Sequence, residues 1–146
     1  MRFRLVIDPD KEEEILATVH NPSDLTKKIE ELVLSHSGTD KLPVYQEDQM
    51  RLLSFSDIAC ITVLEGKTYA IDEEGRQYRL KLRLYELEAL LPHYFIRINK
   101  SAIANENQIE RFHAGYSGAV DVVFKCGYRE YVSRRCFAAI KRRYIK

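Results

Sequence analysis

The first part of the chain carries two β-prone stretches followed by a helical one. Residues 2–7 alternate and then become apolar before the Asp8-Pro9-Asp10 turn, and residues 14–20 are also β-prone, so we predict two short strands. After Asn21-Pro22, apolar residues recur at the i, i+4, i+7 and i+8 spacing of one helix face. These residues are Leu25, Ile29, Leu32 and Val33. We therefore expect a short β-β-α leader, ending in a connector at residues 37–41.

From residue 42 onward, the pattern changes to short strands separated by turn residues. We predict strands near 42–46, 50–55, 58–64, 67–72, 76–82, 95–98, 108–113, 119–124 and 129–133. Leucines spaced for one face predict a helix over 83–92, and a last helix is expected from about 134 to 144. Because turns rather than crossover helices join the strands, we predict a mainly β domain over 42–146, mostly antiparallel, with peripheral helices, preceded by the leader at 1–41.

The formal net charge of +1 conceals an uneven distribution. Residues 1–45 and residues 46–92 each carry 6 Lys and Arg against 9 Asp and Glu, whereas residues 93–146 carry 11 against 4, a balance of +7. A basic third on a nearly neutral chain gives a directional electrostatic surface. By itself it fits either a nucleic-acid partner or a solvated positive face.

Three segments could present hydrogen-bond donors to DNA. Asn99-Lys100-Ser101 follows an aromatic strand, and Lys67-Thr68-Tyr69 follows the Glu65-Gly66 turn; each is also typical of a polar loop. The third segment is stronger, because residues 134–146 hold six basic side chains and no acidic one. Ser133 can cap this helix, helix-start amides attract a phosphate, and Arg134 or Arg135 could form a bidentate contact with guanine.

Other classes of function have little support. No apolar run is long enough for a membrane span and no signal-peptide core follows Met1, so we expect a cytoplasmic protein. The three cysteines and four histidines lack metal-ligand spacing, and no phosphate loop or nucleophile elbow is found. We predict no enzyme activity, no cofactor, no metal and no small-molecule substrate. A nuclease would require clustered carboxylates, and residues 93–146 offer only Glu106, Glu110, Asp121 and Glu130.

Several blocks of the sequence resemble the LytTR DNA-binding domain of bacterial transcription regulators. They occur in the order and spacing of that family across about residues 42–146. The blocks are Asp57-Ile58 with Ile61, then 80–88, 95–105, and Ile109 through the Gly127 turn to Val132-Ser133-Arg134. The most specific of them is Phe95-Ile96-Arg97-Ile98-Asn99-Lys100-Ser101-Ala102-Ile103-Ala104-Asn105, followed by Val132-Ser133-Arg134 about thirty residues later.

The resemblance implies a LytTR-like fold and a mode of DNA binding. The family is an elongated stack of small, mostly antiparallel sheets that binds DNA through loops, which enter two successive major grooves and the minor groove between them. By position, the first major-groove loop corresponds to Lys67, Thr68 and Tyr69. The minor-groove contact corresponds to Lys100, supported by Asn99 and Ser101, and the second major-groove contact to Arg134 beside Arg135. Asn105 matches the family pattern, and we expect it to fix a turn.

This chain departs from the family pattern at three places. Many members carry His or Asn in the first loop and Asn at the central position, where this chain has Lys67, Thr68 and Lys100. Typical members also carry a phospho-receiver, whereas this chain resembles the stand-alone type, so no phosphorylation switch is expected. We expect a homodimer on repeated half-sites, with the leader as a dimerisation or regulatory element. A regulatory membrane protein is a further expected partner, and the alternative function is a protein-interaction module on the same fold.

Overall fold

The computed structural model describes residues 1–36 and 40–144 of the chain. Its helices are α1 (Asp24–His36), α2 (Leu84–Leu90) and α3 (Arg134–Tyr144). Its strands are β1 (Lys41–Gln46), β2 (Gln49–Ser54), β3 (Ile58–Leu64), β4 (Lys67–Asp72), β5 (Gln77–Leu80), β6 (Phe95–Asn99), β7 (Ala102–Asn105), β8 (Ile109–Ala114), β9 (Val120–Phe124) and β10 (Arg129–Val132). Most of the predicted connector, residues 37–39, lies outside the described residues.

The strands form two antiparallel sheets. The larger has the order β2-β1-β5-β4-β3-β7-β6, and the smaller has the order β10-β9-β8. The mainly β, antiparallel fold predicted from the sequence is confirmed, with helices at the periphery. One sheet reaches seven strands because the β1–β2 hairpin joins β5 through the pair Tyr45 and Arg79.

Side chains alternate between the two faces of the larger sheet and supply two hydrophobic cores. Ile61 and Ile103 lie on the face that packs against Leu87 of α2. The neighbouring residue Cys60 lies on the opposite face, in the core shared with Phe124 of β9 and Ile140 of α3. The period of two along each strand therefore places the larger sheet between α2 on one side and the smaller sheet with α3 on the other.

One strand of the larger sheet was not predicted from the sequence. We predicted no strand between residues 98 and 108, but residues 102–105 form β7, which pairs with both β3 and β6. Two of its four residues, Ala102 and Ala104, are alanines, which are depleted in strands. Burial between two longer strands overrides that weak local preference, because all four residues of β7 are buried.

The two strands predicted in the leader are absent, and that part of the prediction is wrong. Residues 1–23 form no strand, and each of their side chains is exposed. A two-stranded hairpin is at best marginally stable without a surface to pack on, and the leader offers none. The helix of the leader is confirmed as α1. A short polar contact joins α1 to the rest of the fold, with 3.3 Å between Oε1 of Glu31 and Nε2 of His93.

Asn105 holds the end of β7 as the sequence predicts. Its side chain is fully buried, and its Nδ2 donates a hydrogen bond to the carbonyl of Ile58 at 2.9 Å. Its Oδ1 accepts from the backbone N–H of Asn107 at 2.9 Å, at the start of a short 3-10 turn over Glu106–Gln108. The side chain therefore satisfies two backbone groups that would otherwise need partners.

We predict that Asn105→Ala lowers the free energy of unfolding by about 1–3 kcal/mol, because it leaves the buried carbonyl of Ile58 without a donor. Urea denaturation of the full chain measures this change. Asn107→Ala is the matched control, since that side chain is exposed, and its effect should stay within about 0.5 kcal/mol. Equal effects of the two substitutions would contradict the structural role of Asn105.

Candidate nucleic-acid interface

Two hairpin turns lie side by side at one end of the larger sheet. The β3–β4 turn has positive φ angles at Glu65 (52°) and Gly66 (76°), as a two-residue type I′ turn requires. The β6–β7 turn contains Lys100 and Ser101. Because β3 and β7 are antiparallel neighbours, the two turns come to the same end, where the N–H of Val63 donates to the carbonyl of Ser101 at 2.8 Å.

A bulge in β6 brings the start of α3 to the same end. The register between β6 and β7 shifts between Arg97 and Asn99, so Ile98 is an extra residue in β6. The carbonyl of Ile98 accepts a hydrogen bond from the N–H of Ser133 at 2.9 Å. A bulge redirects backbone groups away from the ladder, and this one fixes the residue that precedes α3.

Two side chains strengthen the junction between the sheets. Asn99 donates through Nδ2 to the carbonyl of Tyr131 at 2.6 Å, and its Oδ1 accepts from the N–H of Ser101 at 2.7 Å. The hydroxyl of Thr62 donates to Oε1 of Glu130 at 2.6 Å. The contact between Thr62 and Glu130 could not be predicted from local sequence, because the two residues are 68 positions apart in the chain. These bonds tie the turn at 100–101 to the end of β10.

Side-chain hydrogen bonds hold both ends of α3. At its start, Oγ of Ser133 accepts from the N–H of Cys136 at 3.1 Å, which confirms the predicted cap. At its end, Glu106 accepts a hydrogen bond from Arg143 at 3.2 Å and another from the hydroxyl of Tyr144. Burial and the bond to Glu106 raise the pKa of Tyr144 to about 12, so this hydroxyl stays protonated at neutral pH. The orientation of α3 on the smaller sheet is thereby fixed.

We call the turn at 65–67, the turn at 100–101 and the helix start at 133–135 the basic edge. The structure brings together all eight residues predicted for DNA binding, but in different environments. Four are exposed cations: Lys67, Lys100, Arg134 and Arg135. Two are half-buried, Tyr69 and Ser101, and two are buried, Thr68 and Asn99. Thr68 and Asn99 therefore belong to the framework that carries the edge.

The four exposed cations of the basic edge keep their charge available. Within residues 1–36 and 40–144, none of them is paired with a carboxylate. Four other arginines of the basic third of the chain are paired: Arg97 with Glu88, Arg111 with Glu110, Arg129 with Asp121 and Arg143 with Glu106. The cations of the basic edge therefore keep their charge, whereas these four arginines are partly neutralised by their carboxylate partners.

The cysteines lie in or against the core rather than at this edge. Cys60 is fully buried in β3, and burial raises the pKa of its thiol. Cys126 and Cys136 are partly buried and pack against the same core, and all three are free thiols. In the described part of the chain, no helix is long and apolar enough to cross a membrane.

Comparison with known proteins agrees with this architecture. The model of the LytTr DNA-binding domain family matches residues 48–144. This chain belongs to the LytTR family. A solved LytTr DNA-binding domain from Bacillus cereus superposes with a TM-score of 0.65 at 26% sequence identity, and the match covers 70% of this chain and 94% of that one. The predicted family and fold are confirmed, and the family is one of DNA-binding domains rather than of enzymes.

Relatives of similar length are found in Staphylococcus aureus. An uncharacterized HTH-type transcriptional regulator of strain MSSA476 is 32% identical, covering 98% of this chain and 97% of that protein. A counterpart of strain NCTC 8325 is 31% identical with the same coverage. The LytTR chain described here has no helix-turn-helix among its described residues, because five strands separate α2 from α3. The exposed cations of the basic edge lie instead on two turns and at a helix start.

Proposed function

We propose that this LytTR protein is a sequence-specific regulator of transcription that binds duplex DNA through the basic edge. The observation that carries the proposal is the convergence of three chain segments, each with at least one exposed and unpaired cation, at one end of the fold. Hydrogen bonds among the segments fix their relative positions before DNA arrives. Such an arrangement suits recognition of DNA, since phosphates attract the cations and fixed spacing selects the base edges within reach.

Each segment is assigned to one groove by its place on the edge. We assign Lys67, with Tyr69 beside it, to one major groove and Arg134 with Arg135 to the next. Lys100 lies between them and is assigned to the intervening minor groove, where a lysine binds phosphates or the negative potential of a narrow groove. Thr68 and Asn99 support this arrangement from within the fold. The protein would act in the cytoplasm, as a domain at 42–146 preceded by the leader at 1–41.

The primary test is selection of binding sites from random duplex DNA by the full chain at near-physiological salt. The selected site is then titrated against a scrambled duplex of the same composition. We expect an enriched motif, bound at least about a thousandfold more tightly than the scrambled duplex. Uniform weak binding that disappears as salt is added would refute sequence-specific recognition and leave only a basic surface.

Arg134→Ala should weaken binding to the selected site by about 1–3 kcal/mol, because a guanidinium that binds a base edge is lost at the exposed start of α3. Its effect on scrambled DNA should be smaller, so the specificity ratio falls. Fluorescence anisotropy with both duplexes measures these changes. Arg76→Ala is the matched control, since Arg76 lies beyond β4 at the opposite end of the sheet. Unchanged affinity for Arg134→Ala would refute the assignment.

Lys100→Ala should weaken binding to selected and scrambled DNA by similar factors, because the ammonium is assigned to phosphates rather than to bases. The slope of log K against log salt concentration should fall by about one. Titrations at several salt concentrations give both quantities. Lys125→Ala, in the β9–β10 turn at the far end of the smaller sheet, should leave the slope unchanged. A loss confined to the selected sequence would instead assign Lys100 to a base.

A dimer is the second part of the proposal. Large apolar side chains of the leader and α1 remain exposed, which is unusual for a monomer of this size. They are Met1, Phe3, Leu5, Val6, Ile7, Ile15, Leu16, Val19, Leu25, Leu32 and Val33. We propose that this surface contacts a second copy, so that two domains occupy repeated half-sites. Two spaced copies of the motif in the selected DNA, and a dimeric mass in solution, are the results expected.

The same surface favours the second candidate function, docking onto a partner protein such as a membrane-bound regulator. The acidic run Glu12-Glu13-Glu14 beside the apolar residues would complement a basic partner surface. Analytical ultracentrifugation of the unsubstituted chain and of the double variant Leu5→Ser, Ile7→Ser distinguishes the two functions. If the surface forms a dimer, the unsubstituted chain is dimeric and the variant dissociates more readily. If the surface only docks onto a partner protein, both chains have a monomeric mass. Leu52→Ser, an exposed residue of β2, is the control for a general effect of apolar loss.

A further inference from the structure

Arg97 binds three acceptors around the turn that carries Lys100. Its Nε donates to the carbonyl of Asn99 at 2.7 Å, and its Nη2 donates to the carbonyl of Lys100 at 2.6 Å. Its Nη1 donates to Oε2 of Glu88 in α2 at 2.8 Å. One planar guanidinium therefore bridges α2 to two consecutive backbone carbonyls of the β6–β7 turn.

These contacts set Arg97 apart from the cations of the basic edge. Its side chain is only 32% exposed, and its charge is opposed by Glu88. The three donating nitrogens all have protein acceptors, and the fork of the guanidinium matches acceptors that a single ammonium could not reach together. The guanidinium of Arg97 is thus fully engaged within the protein, although Arg97 lies immediately before the bulged residue Ile98 and three residues before Lys100 of the basic edge.

The turn held by Arg97 is also the one that sets the position of α3. Asn99 binds the carbonyl of Tyr131, and the carbonyl of Ile98 accepts from the N–H of Ser133. A change in the path of residues 98–100 would therefore move both the exposed Lys100 and the start of α3. The distance between the second and third segments of the basic edge depends on this turn.

We infer that Arg97 is a positioning residue for DNA recognition, which sets the path of residues 98–100 and is itself oriented by Glu88. The inference deepens the proposed function and rests on it for its DNA readouts. Arg97 presents Lys100 and Arg134 at a fixed spacing and does not bind DNA. Glu88, which is acidic and close to the basic edge, aids DNA recognition through Arg97 despite its unfavourable charge.

The first test is Arg97→Gln, with Arg76→Gln as the control, on the selected and scrambled duplexes. Arg76 is likewise paired with a glutamate, Glu74, but at the opposite end of the sheet. We expect roughly tenfold weaker binding to the selected site, a smaller loss on scrambled DNA, and an unchanged salt slope. Arg97→Lys should not restore affinity, because an ammonium cannot bind both carbonyls in the fork geometry.

A direct contact with DNA gives a different result. If Arg97 neutralised a phosphate, Arg97→Gln would lower the salt slope by about one, and Arg97→Lys would retain most of the affinity. Either result would overturn the positioning role.

Glu88→Gln tests the role without touching Arg97 and therefore with little risk to folding. Simple electrostatics predicts tighter DNA binding when a negative charge is removed, whereas positioning predicts several-fold weaker binding to the selected site. Glu74→Gln, the matched control at the opposite end of the sheet, should leave the affinity for both duplexes unchanged. Tighter binding of Glu88→Gln to both duplexes would contradict the inference.

Amide hydrogen exchange of the free protein separates this inference from the proposed function. In Arg97→Gln the N–H of Ser101, which binds Oδ1 of Asn99, should exchange faster, while exchange in β9 stays as in the unsubstituted chain. Unchanged exchange at Ser101 would overturn the positioning role, whatever the DNA results. If the unsubstituted chain selects no sequence, the proposed function fails, and exchange at Ser101 still decides the role of Arg97 in holding the turn.

Discussion

The junction between β6 and the end of β10 is the constraint on which the rest of the site depends. Because Ile98 is an extra residue in β6, its carbonyl lies outside the β6–β7 ladder and accepts a hydrogen bond from the N–H of Ser133. Asn99 adds a second bond across the same gap, to Tyr131. Most other contacts of the smaller sheet and α3 with the larger sheet are apolar, and apolar contacts are not directional. The hydrogen bonds supply the direction and thereby place Arg134.

Charge is sorted by the fold into two groups with different roles. Arg111, Arg129 and Arg143 are paired with carboxylates and belong to the surface of the scaffold. Cations on the two turns and at the start of α3 are exposed and keep their full electrostatic reach. The net charge of +1 is thus compatible with a strongly basic edge, because attraction to phosphates depends on where the unpaired charges lie rather than on their sum.

The leader and the domain differ in how far they bury their apolar side chains. The domain buries two apolar cores around the larger sheet, so its strands satisfy their backbone groups internally. Residues 1–23 have β-prone composition but no surface of their own to cover them. Their exposed apolar side chains are consistent with a segment that acquires its contacts from another molecule, which is the basis of the proposed dimer and of its alternative.

Local sequence patterns by themselves determined most of the strands, the capped helix after Ser133, the structural role of Asn105 and the family, because periodicity, turn residues and motif spacing act over short distances. They did not determine β7, whose alanines form a strand only between β3 and β6, nor the absence of strands from the leader. Only the tertiary structure decided which motif residues face solvent: Lys100 is exposed, while Asn99 and Arg97 hold its turn. The reason is that a side chain's role depends on acceptors that long-range packing brings to it, and residues such as Glu88 and Tyr131 carry no such information in their local sequence.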